Sequence, residues 1–150
     1  EFAKITDRGY GFFREYKLDD AEIAIVVMGS TAETAQSVID QLRKKKIKAG
    51  LLSLRVFRPF PADEIAAALS KCKGVCVMDR ADGYSGHGGP LFVEIAAALQ
   101  TSSVEIISRI YGLGGREINE EMIKSVFDEL IKLKDNKKVE KFGWVGLKNF

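Results

Sequence analysis

Residues 23–28, Ile23-Ala24-Ile25-Val26-Val27-Met28, form an unbroken apolar run. A strand with one wet face alternates apolar and polar residues, whereas a strand covered on both faces does not. The run therefore reads as a strand inside a parallel sheet, with helices above and below it. Gly29-Ser30-Thr31 ends the run and offers the small polar residues that cap a helix. Ala35, Val38, Ile39 and Leu42 follow at helical spacing. Arg43-Lys44-Lys45-Lys46 then closes the helix, with positive charge at the negative end of its dipole.

The same unit recurs toward the C-terminus. Ala49 to Val56 reads as a second strand. Pro61 stands at the first turn of a second helix, with Asp63 and Glu64 behind it and Ile65, Ala66 and Leu69 as its buried stripe. Val75 to Met78 is a third strand, ending at Asp79-Arg80. A glycine-rich loop, Asp82-Gly83-Tyr84-Ser85-Gly86-His87-Gly88-Gly89-Pro90, leads to a helix over about Leu91 to Leu99. Val104 to Ile110 is a fourth parallel strand, followed by the turn Tyr111-Gly112-Leu113-Gly114-Gly115. Asn119 caps a last helix that carries Met122, Ile123, Val126, Phe127 and Leu130 on one face. Toward the N-terminus, Phe13 to Leu18 is a candidate edge strand whose charges discourage edge pairing.

This alternation predicts right-handed crossovers and a three-layer α/β/α domain. The expected division is a lead-in segment over 1–20, an α/β domain over 21–135 and a tail over 136–150. The tail ends in Phe142, Trp144, Val145, Leu147 and Phe150, which must cover this domain or a neighbour.

Composition limits the function classes. The chain has 150 residues, 46% of them hydrophobic and 29% charged, with a formal net charge of +2. Charge this balanced gives no field that argues for a nucleic-acid or membrane partner. There is no apolar run of membrane-spanning length. Glu1 is not a starting Met, and the reading is a fragment of something longer. Two cysteines, Cys72 and Cys76, make no disulfide framework, so a cytoplasmic setting is expected. They also cannot hold a cluster or a structural zinc by themselves.

Ligands in such folds sit at the carboxyl ends of the strands. The candidate contacts there are Ser30 and Thr31, Arg55 and Arg58, Asp79 and Arg80, Tyr84, Ser85 and His87, and Arg116. The Ser30-Thr31 turn can hold an anion, but it lacks the lysine of a P-loop and the three glycines of a dinucleotide turn. The arginines of Arg55-Val56-Phe57-Arg58-Pro59-Phe60-Pro61 can grip a carboxylate or phosphate, but their combination with prolines and aromatics is read as a contact between domains or subunits. His87, the single histidine, has no triad spacing to Ser85 or Asp82. No residue is assigned as catalytic or as a metal ligand.

Four stretches carry a resemblance. Glu22 to Thr34, Leu54 to Ile65, Val77-Met78-Asp79-Arg80 and Gly112 to Ile118 together resemble the second domain of the α subunit of the pyruvate:ferredoxin oxidoreductases and related 2-oxoacid enzymes. The resemblance runs from about Tyr10 to Trp144. It implies a fold similar to the transketolase C-terminal domain, five strands with one antiparallel edge. It also implies a parent enzyme that uses thiamine diphosphate with Mg2+, Fe–S clusters and coenzyme A. That enzyme converts pyruvate, coenzyme A and oxidised ferredoxin to acetyl-CoA, CO2 and reduced ferredoxin.

The diphosphate motif Gly-Asp-Gly and a cluster-binding cysteine set are absent from the chain. The expectation is therefore a non-catalytic assembly domain, inactive alone, that binds no cofactor alone. Its partners are the other domains and subunits of the oxidoreductase, with ferredoxin reached through the complex. The alternative is a stand-alone flavodoxin-like domain that binds a small molecule or regulates.

Overall fold

The computed structural model describes residues 2–6, 9–84 and 86–147. In chain order the elements are α1 (Phe2–Thr6), β1 (Phe13–Tyr16), β2 (Ile23–Met28), α2 (Thr31–Lys44), β3 (Ala49–Leu54) and α3 (Ala62–Leu69). Then come β4 (Gly74–Asp79), α4 (Pro90–Ala98), β5 (Glu105–Ile110), a 3-10 turn (Leu113–Gly115), α5 (Glu120–Lys134) and β6 (Phe142–Trp144). The sheet order is β1-β3-β2-β4-β5-β6, with β1 antiparallel to β3 and every other pair parallel.

The continuous apolar runs work as their pattern predicts. Alternate residues of each strand feed opposite faces. Ile23, Ile25, Val27, Leu51, Cys76, Met78 and Ile107 pack with residues of α2 and α5. Ala24, Val26, Leu52, Leu54, Val75 and Val77 pack with residues of α3 and α4 on the other face. The result is the three-layer domain. Among the described residues no helix is long and apolar enough to cross a membrane.

The sheet has six strands, not five. β1 is the antiparallel edge that the resemblance implies. The sixth strand comes from the tail, where Phe142, Gly143 and Trp144 pair with Ser108, Arg109 and Ile110. Three residues are too few to show a period in sequence. What seats them is Arg109, which is buried. Its Nε donates to Glu129 on α5 at 2.7 Å, its Nη1 to the Ser108 carbonyl and its Nη2 to the Glu140 carbonyl at 3.0 Å. Gly143 lies directly against that guanidinium. One buried cation thus ties β5, α5 and the tail together.

A second correction concerns Ser30. It precedes α2, but its hydroxyl makes no capping bond. A cap needs an extended backbone so that the side chain can reach forward to a free amide. Ser30 is already in the helical region, at φ −65° and ψ −23°. Asn119 meets the requirement: its backbone is extended, and its Oδ1 accepts from the Met122 amide at 2.9 Å.

Candidate functional site

The chain leaves β2 toward β3 on one side, while β4 and β5 lie on the other. The carboxyl ends of β2 and β4 therefore flank the point where the sheet order reverses, the usual ligand crevice of open α/β sheets. A mostly apolar cleft of about 520 Å³ opens there. Met28, Gly29, Phe57, Met78, Asp79 and Tyr111 are among its walls.

Its polar groups are held from within. Asp79, only 6% exposed, accepts from the Leu91 amide at 2.9 Å and the Phe92 amide at 3.0 Å. A carboxylate at a helix start satisfies amides that lack partners in the helix and complements its dipole. Burial nonetheless raises the Asp79 carboxyl above its ordinary range, with the two amide bonds acting against that shift. Gly89 is required beside it, because a Cβ there would overlap the carboxylate. Tyr111, 2% exposed, donates from its hydroxyl to Thr31 Oγ1 at 2.8 Å, and burial raises its phenol. Asp79 therefore serves as a helix cap and the Thr31 hydroxyl as a tether.

The structure brings Thr31, Asp79 and Arg80 to this region together with Tyr111. It does not gather the remaining candidates. Arg55 is exposed and lies over the Tyr10 ring at 5.3 Å. Arg58 is exposed, stacks on Phe57 at 4.3 Å and bonds Glu94 on α4 at 2.6 Å. Tyr84 and His87 are exposed on the glycine-rich loop. Ser85 lies outside the described residues. Ser30 is exposed at the start of α2. Arg116 lines a neighbouring cleft of about 500 Å³, built from the 110–116 turn and the 144–147 tail.

Sequence reasoning missed Tyr111 and Ser108. Tyr111 was legible as the first residue beyond a buried strand, the position from which ligands are usually met. Ser108 Oγ, buried in the middle of β5, has no hydrogen-bond partner among the described residues, and nothing in its sequence context signals that.

Comparison with known proteins fixes the family. Residues 21–123 match the model of the pyruvate:ferredoxin oxidoreductase core domain II. The chain belongs to that family. Among curated relatives, pyruvate synthase subunit PorA of Methanothermobacter thermautotrophicus is 41% identical over 99% of this chain and 37% of its own length. PorA of Thermotoga maritima is 38% identical over 87% of this chain and 34% of its own. Ketoisovalerate oxidoreductase subunit VorA of Pyrococcus furiosus is 34% identical over 94% and 34%. The chain thus spans about a third of the length of these relatives.

The fold is shared more widely within and beyond the family. A 2-oxoglutarate:ferredoxin oxidoreductase from Magnetococcus marinus, solved with 2-oxoglutarate, coenzyme A and succinyl-CoA, superposes with a TM-score of 0.59 at 19% identity. That match covers 81% of this chain and 20% of that one. A split-gene transketolase also gives 0.59, at 16% identity over 83% of this chain and 42% of its own.

The cysteines of this core domain do not fit an Fe–S cluster. A cluster takes about four thiolates, and this chain has two thiols. Burial raises Cys72 to about 11, while Cys76 is fully enclosed and raised further. Among the described residues no group of three His, Cys, Asp or Glu could hold a metal ion.

Proposed function

We propose that this chain is a non-catalytic assembly domain of the α subunit of a pyruvate synthase. That enzyme couples oxidative decarboxylation of pyruvate on thiamine diphosphate to acetyl-CoA formation and ferredoxin reduction. The observation that carries the reading is the match over residues 21–123, together with PorA relatives more similar to this chain than the ketoisovalerate subunit. Thiamine diphosphate, Mg2+ and the clusters then belong to other parts of the parent complex, and this domain supplies a surface beside them.

The Arg55–Pro61 block is that surface. Arg55, Arg58 and Pro59 are exposed, and Arg58 braces the loop through Glu94 rather than through the core. Arg58→Ala in the full α subunit, co-expressed with its partner subunits, lowers the yield of assembled complex on gel filtration. The same change leaves the melting of the 150-residue chain within a degree or two, since an exposed ion pair contributes about 0–1 kcal/mol. Unfolding of the isolated variant would make the block part of the core instead. Pyruvate- and coenzyme A-dependent dye reduction is expected from the full complex alone. Activity in the isolated chain sinks the proposal.

A further inference from the structure

We propose that the cleft between the 110–116 turn and the 144–147 tail binds the phosphate group of a small phosphorylated ligand. This inference does not rest on the pyruvate synthase reading.

The first support is unspent positive charge. Arg43, Arg58 and Arg109 each hold a carboxylate. Among the described residues Arg80 and Arg116 hold none. Both are nonetheless positioned. Arg116 Nη1 donates to the Gly146 carbonyl at 3.1 Å, which brings its guanidinium across the cleft from turn to tail. Arg80 lines the edge of the neighbouring β2–β4 crevice and lies over the buried Tyr111 ring that the two clefts share, 5.6 Å from its centre. It stands against Gly112, where a Cβ would come within 2.8 Å of Arg80 Nε. A guanidinium stacked on a fixed ring is already ordered, so less entropy is lost when it takes up an anion.

The second support is the backbone between them. Gly112 (φ 64°, ψ 17°) and Gly114 (φ 66°, ψ 26°) are left-handed and flank Leu113. Alternating handedness turns successive amides toward one concavity, the backbone arrangement that receives anions. Gly112 is thus needed twice, for its conformation and for the approach of Arg80.

The donor set favours phosphate over carboxylate. A carboxylate has two oxygens in one plane and is satisfied by one guanidinium edge. A phosphate has oxygens pointing to all sides and can use two guanidinium groups and backbone amides together. The outer wall of the cleft is apolar, with exposed Trp144 and Leu147 on one side and Leu113 on the other. That wall suits the organic part of a small ligand.

The test uses the full 150-residue chain. Trp144 is its single tryptophan and lines the cleft, so its emission reports directly on occupancy. Inorganic phosphate and pyrophosphate are titrated in at constant ionic strength, with acetate as the carboxylate arm. A saturable emission change with both phosphates and none with acetate is expected. Arg80→Gln and Arg116→Gln should each weaken binding by about tenfold, the loss of one charge-assisted contact, with unchanged circular dichroism. Arg14→Gln, at the far edge of the sheet, should leave it unchanged. The proposal is overturned by a response that does not saturate or by equal affinity in the Arg80→Gln/Arg116→Gln double variant. It is equally overturned by acetate matching pyrophosphate, which would mark a socket for a partner's acidic side chain, or by Arg14→Gln weakening binding as much as the others.

Discussion

Two clefts meet at Tyr111, and they treat their polar groups in opposite ways. Between β2 and β4, the Asp79 carboxylate is taken by two amides of α4 and the Tyr111 hydroxyl by Thr31. Between the 110–116 turn and the tail, Arg116 reaches across the cleft, and Arg80 stands at the boundary of the two clefts against Gly112; neither carries a counter-charge among the described residues. The carboxylate and the phenol of the crevice that fold topology marks for ligands are thus held from inside, while two guanidinium groups, Arg80 at the crevice edge and Arg116 one strand to the side, are left without a carboxylate among the described residues. A buried carboxyl whose pKa is raised by burial is often read as a functional group. Here its geometry gives it a structural task, because both its oxygens face amides that would otherwise lack partners.

Three changes probe this contrast. The largest effect is expected from Gly89→Ala, whose Cβ would meet the Asp79 carboxylate and force the cap away from α4. Overpacking combined with two freed amides should cost about 3 kcal/mol in urea unfolding. A loss under about 1 kcal/mol would mean that Asp79 can leave α4 cheaply and that the crevice is not braced. A smaller cost, about 2 kcal/mol, is expected for Arg109→Met, which removes the ties to Glu129, Ser108 and Glu140. Here the informative measurement is hydrogen exchange: the amides of β6 should lose protection while those of β2 and β4 keep it. Uniform loss across the sheet would show that the second cleft has no separately anchored wall. Ser108→Ala should change stability least, within about 0.5 kcal/mol or toward greater stability, because its hydroxyl has no partner among the described residues to lose. A clear destabilisation would reveal a bond that this hydroxyl makes in solution.

Much of the fold was legible because burial on both faces leaves a direct mark. Ile23 to Met28 and Val75 to Met78 could only be central strands, and Asn119 carried its cap signal in a single residue. Ser30 carried the same kind of signal and does not cap, because the cap depends on a backbone angle that residue type does not set. The tail was legible as apolar and no further. Whether Phe142 to Trp144 would cover a helix, a sheet face or a sheet edge depended on Arg109, whose role is invisible before its neighbours are placed. At the site, Asp79, Arg80 and Arg116 were legible as polar residues beyond strand ends. Their tasks were not: the amides that occupy Asp79 lie 12 and 13 residues ahead, beyond a glycine-rich loop.

The sequence by itself determined the layers, the parallel strand–helix units and the family, since apolar periodicity and contiguous motifs are local properties of a chain. Tertiary structure alone decided which polar groups are spent and which are free. Thr31 and Tyr111 are 80 residues apart, and Arg116 reaches a carbonyl 30 residues on. Hydrogen bonds and charge pairs form over about 3 Å of space, a distance that only the assembled sheet sets.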